Sequence, residues 1–331
     1  MTDQIPHGGS TEVSWPLDVT TVYGTLVRPS GLGPFPAVVM VAGSGPTDRD
    51  WNSPLLPGTN GSARLLAQAL AQAGIASLRY DKRASGPHLR ENLPALLGKI
   101  SMQSHLDELA GAVRTLAGRD DIRKDEIFAL TNSEGALHAL NYQVSHLAIP
   151  LAGLVLTAPP GRTVGAVARS QIAAQAAGLP DGQAVMAAFD AAIAHFIAAE
   201  PFTLDPSLPA VAQMLLQGLS SPANLPFARE LWIADAAALL KQIHVPVLIV
   251  IGKKDLQVDW RVDGESLQRA AAGKKDVTFI FPENANHVQK YEPQSRPELR
   301  PTEAVNGYNA PDTHLDEDAL ASILKWLAAH G

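Results

Sequence analysis

Cysteine is absent from this chain of 331 residues, which excludes disulfide bonds, thiolate metal sites and a cysteine nucleophile. Charged residues are few, 18% of the total, and both signs are interspersed to a net charge of −7, so no basic nucleic-acid-binding or polybasic membrane surface is indicated. Apolar runs of membrane-spanning length are also missing, and residues 1–10 lack the basic and apolar regions of a secretory signal. We therefore expect a cytoplasmic protein with no membrane span and no nucleic-acid partner.

Hydrophobic residues make up 46% of the chain, enough for a large buried core. Short apolar segments alternate with amphipathic helical patterns, and some, such as residues 245–251, are apolar at every position. Strands that helices bury on both faces have this composition, and the alternation is typical of a parallel sheet. The sequence predicts an α/β fold with a mostly parallel eight-stranded sheet flanked by helices. Strands are expected at residues 12–18, 21–29, 35–42, 76–81, 127–131, 152–158, 245–252 and 277–281, and helices at 63–73, 102–116, 136–146, 262–272 and 316–330.

Residues 160–242 interrupt this alternation, because they show no strand pattern and consist of Ala-rich helical stretches separated by prolines. An insertion of this length far exceeds an ordinary helix–strand connection. We interpret it as a helical cap inserted after the sixth strand, over a core formed by residues 1–159 and 243–331. Its apolar side chains either line a substrate pocket or pack against each other and the sheet. Phe189, Phe227 and Trp232 are the candidates for substrate binding.

A candidate nucleophile, Ser133, lies in the segment Thr-Asn-Ser-Glu-Gly at 131–135, between a strand-like run and a helical pattern. A serine on such a sharp strand-to-helix turn is held clear of the sheet. The next residue, Glu134, offers its backbone N–H, and the helix N-terminus adds a positive potential where an oxyanion would form. Because short motifs of this kind also occur by chance, the assignment depends on an acid and a histidine that follow in chain order.

The acid and the histidine of a catalytic triad are expected to be Asp255 and His287. Asp255 follows the apolar run 245–251, and catalytic groups in α/β sheets gather at the carboxyl ends of strands. His287 stands in a polar loop after the last strand. Asp259 and Asp263 lie just beyond Asp255, and we expect them to be solvated or to cap a helix.

His138 is expected to have a structural packing role, and five other histidines are expected to be ordinary surface or cap residues. His138 is five residues after Ser133, inside the following helix, so it points along that helix rather than back at the serine. Five further histidines lie in helical or loop contexts without obvious acid partners: His88, His105, His195, His314 and His330. No pair has the spacing of metal ligands, so no metal is predicted.

The loop after the third strand is rich in glycine, which lets backbone amides approach a ligand closely. The Ser44 N–H is the best candidate for the second oxyanion donor, paired with the Glu134 N–H, while Gly43 and Gly45 are expected to contact substrate. The glycine spacing matches neither phosphate-binding motif, so no cofactor is predicted. The charged residues 48–50 either brace this loop by ion pairing or form a solvated cluster.

Several motifs resemble the bacterial α/β-hydrolase family, in particular its esterases related to the serine aminopeptidase-like hydrolases. They are residues 43–50 (Gly-Ser-Gly-Pro-Thr-Asp-Arg-Asp), 79–83 (Arg-Tyr-Asp-Lys-Arg), 133–135, 252–258 (Gly-Lys-Lys-Asp-Leu-Gln-Val) and 286–287 (Asn-His). The resemblance extends over about residues 20–330 and implies the α/β-hydrolase fold. It maps Ser133, Asp255 and His287 onto the catalytic triad, and it implies a carboxylesterase, since most members have that activity and some act on polyesters or lactones.

The chain departs from the family pattern at two places. Thr131 stands where glycine is usual and Asn132 where histidine is frequent, and a β-branched residue at the first position is expected to crowd the turn. Residues 83–86, Arg-Ala-Ser-Gly, replace the usual Arg-Gly-x-Gly and are expected to reshape the pocket wall.

The sequence thus predicts a serine hydrolase that cleaves small-molecule or polymeric esters through an acyl-enzyme. A peptidase or an acyltransferase with the same triad stays open as an alternative, because that choice depends on pocket shape. A non-catalytic binding protein on the same fold is the alternative of another class. Acyl length and oligomeric state do not follow from the sequence.

Overall fold

A computed structural model describes residues 9–300 and 305–331. The described residues form an eight-stranded sheet in the order β1-β2-β4-β3-β5-β6-β7-β8. Its strands are β1 Ser10–Leu17, β2 Thr20–Val27, β3 Phe35–Val41, β4 Ala76–Tyr80, β5 Ile122–Asn132, β6 Gly153–Thr157, β7 Val247–Val250 and β8 Val277–Ile280. The hairpin β1–β2 is antiparallel and joins β4 antiparallel, whereas the remaining pairs are parallel. The predicted mostly parallel eight-stranded sheet is confirmed.

Helices connect the parallel strands. They are α1 Ser62–Gln72, α2 Leu89–Leu96, α3 Met102–Ala117, α4 Gly135–Val144, α5 Val164–Ala176, α6 Gly182–Ile197, α7 Ala210–Ser220, α8 Phe227–Trp232, α9 Ala236–Leu240, α10 Val262–Ala270 and α11 Glu317–His330. The five predicted helices correspond to α1, α3, α4, α10 and α11. Helix α2 was not predicted, because it is short and Pro94 interrupts its pattern. No helix of the described segments is both long and apolar enough to cross a membrane.

Alternate side chains of the central strands pack on opposite faces of the sheet. In β3, Val39 and Val41 join a buried cluster that includes residues of α3, α4, α9 and α10. Val38 and Met40 join a second cluster with residues of α1 and α11. Burial on both faces explains why the central strands are apolar at nearly every position.

Strand β5 begins five residues before the predicted start at 127. Residues 123–125 are exposed, although Ile122 already pairs with Phe35 of β3. The charged residues of this exposed extension concealed it, because an apolar pattern marks only the buried part of a strand.

Residues 160–242 lie between β6 and β7 and contain α5–α9 with a short 3₁₀ turn, Pro222–Asn224. Side chains of α5–α8 form a buried cluster of their own, which includes Phe189, Phe196 and Trp232. Helix α9 contributes instead to the cluster that contains α4 and α10. Helices α5–α8 of the insertion therefore share a small hydrophobic core of their own.

Candidate active site

Ser133 sits at the sharp junction between β5 and α4. Its φ is +52°, a left-handed conformation that is strained for a residue with a side chain. The Ser133 N–H donates to the Thr157 carbonyl at 2.9 Å. A Cβ at Gly135 would lie 2.5 Å from the Val41 carbonyl oxygen, so only glycine allows α4 to begin this close to β3. The turn thus has the conformation expected of a nucleophile elbow.

Thr131 and Asn132 precede this turn as regular residues of β5. Thr131 pairs with Val41 on one side and Leu156 on the other, and the Thr157 hydroxyl donates to its carbonyl at 2.6 Å. The strained φ falls on Ser133 rather than on Thr131, and regular pairing accommodates the branched side chain. The crowding expected from Thr131 is therefore not visible in the backbone of the turn.

Asn132 links the serine turn to the histidine loop. Its side-chain amide donates to the backbone carbonyl of His287 at 2.9 Å. The backbone here is also crowded from the other side, because a Cβ at Gly43 would lie 3.2 Å from both the Asn132 carbonyl oxygen and the Ser133 Cβ. Gly43 thus permits close approach of the third strand's loop to the serine.

Asp255 and His287 form a buried pair. His287 Nδ1 lies 2.8 Å from Asp255 Oδ2, and the aspartate side chain is fully buried. Asp255 Oδ1 accepts the backbone N–H groups of Gln257 and Val258 at 2.7 and 3.0 Å, which leaves Oδ2 to the histidine. Because a carboxylate accepts hydrogen bonds, the contact places a proton on Nδ1, and this tautomer leaves Nε2 available as a base.

Further contacts hold the loops that carry this pair. The Arg296 guanidinium donates to the carbonyls of Lys253 and Asp255 and to the Asp259 carboxylate. On the histidine loop, Asn286 Oδ1 accepts the backbone N–H groups of Val288 and Lys290 at 3.1 and 3.0 Å. Both loops are therefore fixed by charge-assisted or side-chain-to-backbone hydrogen bonds.

Tyr308 and Lys290 were missed by sequence reasoning. The Tyr308 ring lies 6.3 Å from the His287 ring, and its hydroxyl accepts from Gln257 Nε2 at 3.0 Å. Burial, with the nearby Asp255 carboxylate, raises the pKa of Tyr308, so it stays neutral. The buried Lys290 ammonium donates to the Tyr308 carbonyl and the Thr313 hydroxyl, and burial lowers its pKa to about 8. No local pattern predicts either residue, because these partners lie 18 to 51 residues away along the chain.

One cavity of about 740 Å³ contains Ser133 and His287 together with Ser44 and Glu134. Most of its remaining wall is apolar and comes from the insertion: Val164, Val167, Met214, Leu215, Leu219, Phe227, Leu231 and Trp232. Of the predicted substrate-binding residues, Gly45, Phe227 and Trp232 line it.

Gly43 and Phe189 do not line this cavity. Gly43 instead lies against Ser133, where the absence of a side chain lets the two backbones approach closely. Phe189 is completely buried in the insertion's own cluster, because its face of α6 packs against neighbouring helices. The expectation that Phe189 contacts substrate is therefore wrong, and the alternative of packing within the insertion applies to it.

The glycine-rich loop after β3 presents the predicted oxyanion donors. Its Ser44 carbonyl accepts from the Thr47 hydroxyl at 2.8 Å, and Gly45 adopts a φ of +83°. Within the described ranges, neither the Ser44 N–H nor the Glu134 N–H has an acceptor in the protein. Both amides are therefore available to a ligand in the cavity.

Ion pairs brace this loop, which was the first of the two alternatives expected for residues 48–50. Arg49 binds the Asp81 carboxylate through Nε and Nη2 at 2.9 and 2.7 Å, and Arg79 Nε binds Asp50 at 2.9 Å. Asp48 Oδ1 accepts the backbone N–H groups of Asp50 and Asn52, both at 2.9 Å. A solvated charge cluster is excluded, because Arg79 and Asp81 are buried.

Glu134 belongs to a row of buried ionisable side chains. We name this row the buried charge row; its members are Lys82, Glu134, His138, His105, Glu108 and Arg83. Lys82 Nζ is 3.4 Å from Glu134 Oε1, which also lies 3.1 Å from His138 Nε2. The His138 and His105 ring centroids are 4.6 Å apart. His105 Nδ1 is 3.0 Å from Glu108 Oε2, and Arg83 Nε is 3.0 Å from Glu108 Oε1.

Charge neighbours decide the ionisation of this row. Burial acts to raise the pKa of both glutamates, but Lys82 and His138 outweigh it and hold the pKa of Glu134 far below its usual range. His105 and Arg83 likewise bring the pKa of Glu108 to about 2. Burial lowers the pKa of His138, which opposes its protonation. Both carboxylates are thus ionised and His138 is neutral near pH 7.

Several expectations for titratable residues are wrong. His105 is a buried, cavity-lining residue with an acid partner, and His88 and His195 pair with Glu91 and Glu200 at 2.8 and 2.9 Å. Asp259 Oδ1 accepts N–H groups at the start of α10, as expected, but Asp263 is fully buried and binds Arg162. The acid partner of His105 is Glu108, three residues later in α3, whereas Arg162 contacts Asp263 only through packing of distant segments.

A metal site is not evident in the described parts of the chain, where no three histidine or acidic side chains are grouped to hold an ion.

Residues 38–305 match the model of the alpha/beta hydrolase family. The chain belongs to the alpha/beta hydrolase family. The family membership inferred from the motifs is therefore confirmed.

Several members of known activity resemble this alpha/beta hydrolase. Esterase EstD of Thermotoga maritima is 25% identical over 313 residues, which are 94% of this chain and 66% of EstD. The solved esterase Pf2001 of Pyrococcus furiosus superposes with a TM-score of 0.56 at 15% identity, over 97% of this chain and 93% of its own. The proline iminopeptidase of Mycobacterium smegmatis gives 0.56 at 16% identity, over 97% and 98%.

The coverage of these relatives is uneven. This chain spans just under two thirds of EstD and 62% of a 2,6-dihydroxy-pseudo-oxynicotine hydrolase, to which it is 16% identical with a TM-score of 0.52 over 84% of its own length. At such low identities the solved structures establish the shared fold and nothing beyond it.

Proposed function

We propose that this alpha/beta hydrolase is a serine esterase in which Ser133 is the nucleophile, His287 the general base and Asp255 the residue that orients the histidine. The observation that carries the proposal is the buried 2.8 Å contact of Asp255 with His287, which lines the same cavity as the strained Ser133. A histidine with its Nδ1 proton fixed presents Nε2 as the base that a serine needs.

In the acylation step, Ser133 Oγ forms a bond to the ester carbonyl carbon while its proton passes to His287 Nε2. The carbonyl π electrons move to the oxygen, which becomes an oxyanion. When the tetrahedral intermediate collapses, the bond to the alkoxy group breaks and His287 returns the proton to the leaving alcohol. Water then attacks the acyl-enzyme by the same route and releases the acid.

In this mechanism the backbone N–H groups of Ser44 and Glu134 donate hydrogen bonds to the oxyanion. Both line the cavity beside Ser133, and neither has a competing acceptor among the described residues. Loss of one such donor costs on the order of 3 kcal/mol of transition-state stabilisation. The α4 N-terminus adds a favourable potential at the same place.

We further propose that residues 160–242 act as a cap over a core of residues 1–159 and 243–331, and that the cap selects uncharged, largely apolar esters, small or polymeric. Support comes from the apolar side chains of α5, α7 and α8 in the cavity wall. Transfer of such surface out of water contributes about 25 cal/mol per Å².

An aminopeptidase is less well supported than an esterase. Such an enzyme needs a carboxylate to bind the substrate's terminal ammonium. Among the described lining residues, Glu134 is the single carboxylate, and Lys82 and His138 already occupy it. An acyltransferase would use the same groups with another acceptor.

The proposal is tested by hydrolysis of p-nitrophenyl esters from acetyl to palmitoyl. Wild type should turn over part of the series, and Ser133→Ala should lose that turnover. Ser170→Ala is a matched control, because its hydroxyl donates to the Val167 carbonyl within α5 and does not line the cavity. A wild type inactive on every ester, or a Ser133→Ala protein as active as the control, would contradict the proposal.

A further inference from the structure

We propose that Lys82 is a positioning residue that aligns both oxyanion donors at once, through one hydrogen bond to the Gly43 carbonyl and another to the Glu134 carboxylate. The inference rests on the proposed esterase mechanism. It assigns a role to one end of the buried charge row, Lys82 with Glu134, which the triad does not use.

The first contact orients the Ser44 amide. Lys82 follows β4, is buried, and donates from Nζ to the Gly43 carbonyl oxygen at 2.7 Å. That carbonyl and the Ser44 N–H belong to one peptide unit. In a planar trans peptide the C=O and N–H point in opposite directions, so fixing the carbonyl on Lys82 aims the N–H away from it.

The second contact fixes the residue that carries the other donor. Glu134 Oε1 lies 3.4 Å from Lys82 Nζ and 3.1 Å from His138 Nε2. Two donors on a buried carboxylate restrict its side chain, and Glu134 stands at the first turn of α4 directly after Ser133. The side chain thereby anchors the short turn from which the Glu134 N–H projects.

Electrostatics adds to this geometry. A hydrogen bond from an ammonium to a carbonyl polarises the peptide, which strengthens its N–H as a donor. Lys82 also lines the cavity, so its positive charge acts on a developing oxyanion in a poorly solvated setting. These effects increase in the transition state, when the negative charge appears.

The next residue provides a matched comparison. Arg83 is an equally buried cation that binds Glu108 and the Thr20 hydroxyl, both at 3.0 Å. Neither of these partners belongs to the peptides that supply the oxyanion donors. A variant at Arg83 therefore measures what the loss of a buried cation costs without disturbing those peptides.

The test compares Lys82→Met, Lys82→Arg and Arg83→Met in p-nitrophenyl ester hydrolysis. For Lys82→Met we expect kcat to fall about 10- to 100-fold with KM changed less than about threefold, because donor alignment matters chiefly in the transition state. Affinity for a boronic acid inhibitor, which mimics the tetrahedral intermediate, should fall by a similar factor. Lys82→Arg should recover part of kcat, since a guanidinium retains the charge and donors.

Arg83→Met should lower the unfolding midpoint while kcat of the folded protein stays within about threefold of wild type. The Lys82 proposal is overturned if Lys82→Met leaves kcat and boronate affinity at the level of Arg83→Met, or raises KM alone. If Lys82→Met does not fold, Lys82→Arg decides: a joint fall in kcat and boronate affinity with KM little changed supports the proposal, and unchanged kcat and boronate affinity, or a raised KM alone, overturn it. A wild type without Ser133-dependent turnover would instead defeat the esterase proposal itself.

Discussion

Two buried histidine–carboxylate pairs differ in which ring nitrogen contacts the carboxylate, and in the proposed mechanism only the pair His287–Asp255 transfers a proton. His287–Asp255 and His138–Glu134 are both buried, with nitrogen–oxygen distances of 2.8 and 3.1 Å. His287 lines the cavity and has its carboxylate on Nδ1, so Nε2 is available. His138 has its carboxylate on Nε2, and its buried Nδ1 has no partner within the described residues. A histidine–acid pair is thus a base only when its second nitrogen faces the substrate.

The largest expected effect separates the two histidines directly. His287→Ala should lower kcat by about 10⁴-fold or more, because in the proposed mechanism His287 takes the Ser133 proton. His138→Phe should keep kcat within about tenfold of wild type. Steady-state hydrolysis of the best p-nitrophenyl ester measures both. Equal losses of kcat in His287→Ala and His138→Phe would contradict the claim that only His287 acts as the base.

Loss of the Asp255 carboxylate should lower kcat more than loss of the Glu134 carboxylate, but the difference should be smaller than that between the two histidines. Asp255→Asn should lower kcat by about 10³-fold or more with little change in KM, since an amide favours the wrong histidine tautomer. In Glu134→Gln the backbone donor and the Lys82 contact to Gly43 remain, so kcat should fall by about tenfold or less. Initial rates over a range of ester concentrations separate kcat from KM. A Glu134→Gln protein as impaired as Asp255→Asn would mean that the glutamate side chain takes part in the chemistry.

A pair of phenylalanines sharpens the comparison within the insertion. Phe189→Ala should lower the free energy of unfolding by about 3–5 kcal/mol and leave KM unchanged, because Phe189 is entirely in the small core. Phe227→Ala should raise KM for the longer esters about threefold or more, since Phe227 lines the cavity. Urea unfolding and the ester series provide the two readouts. A KM shift in Phe189→Ala would show that the cavity depends on the packing of α6.

The smallest effect concerns acid stability. Burial lowers the pKa of His138, so the unfolded chain takes up a proton there at a higher pH than the folded one. Stability from this site is complete above an unfolded pKa of about 6.5 and declines as pH falls below it. Between pH 7 and 5, the urea midpoint of wild type should therefore fall more than that of His138→Phe. A steeper fall in the variant would contradict the neutral, buried His138.

The sequence predicted the strands and the His287–Asp255 contact because local patterns carry them. An apolar run marks each central strand, and Asp255 and His287 follow such runs, so a parallel sheet brings their loops to one edge. The His138–Glu134 pair has helical i, i+4 spacing, yet its partners Lys82 and His105 lie some 30 to 50 residues away. Packing of α3, α4 and the segment after β4 joins the two helical pairs into that row, and no local pattern encodes this packing.

The sequence also could not separate Phe227, which lines the cavity, from Phe189, which packs in the insertion's own core. Both are apolar residues of Ala-rich helices, and the sequence does not tell which helix face turns to the cavity and which to the insertion's own core. The exposed start of β5 at 123–125 was missed for a related reason, since its charged residues carry no apolar signal.

Covalent labelling with a p-nitrophenyl phosphonate tests the central claim most directly. Wild type, His138→Phe and His287→Ala are treated in parallel, and peptide mass spectrometry locates the adduct. We expect one phosphonyl group per chain on Ser133 in wild type and in His138→Phe, with p-nitrophenol released in equal amount, and at least 10³-fold slower labelling of His287→Ala. An adduct on another residue, or equal labelling rates in His287→Ala and wild type, would contradict the triad of Ser133, His287 and Asp255.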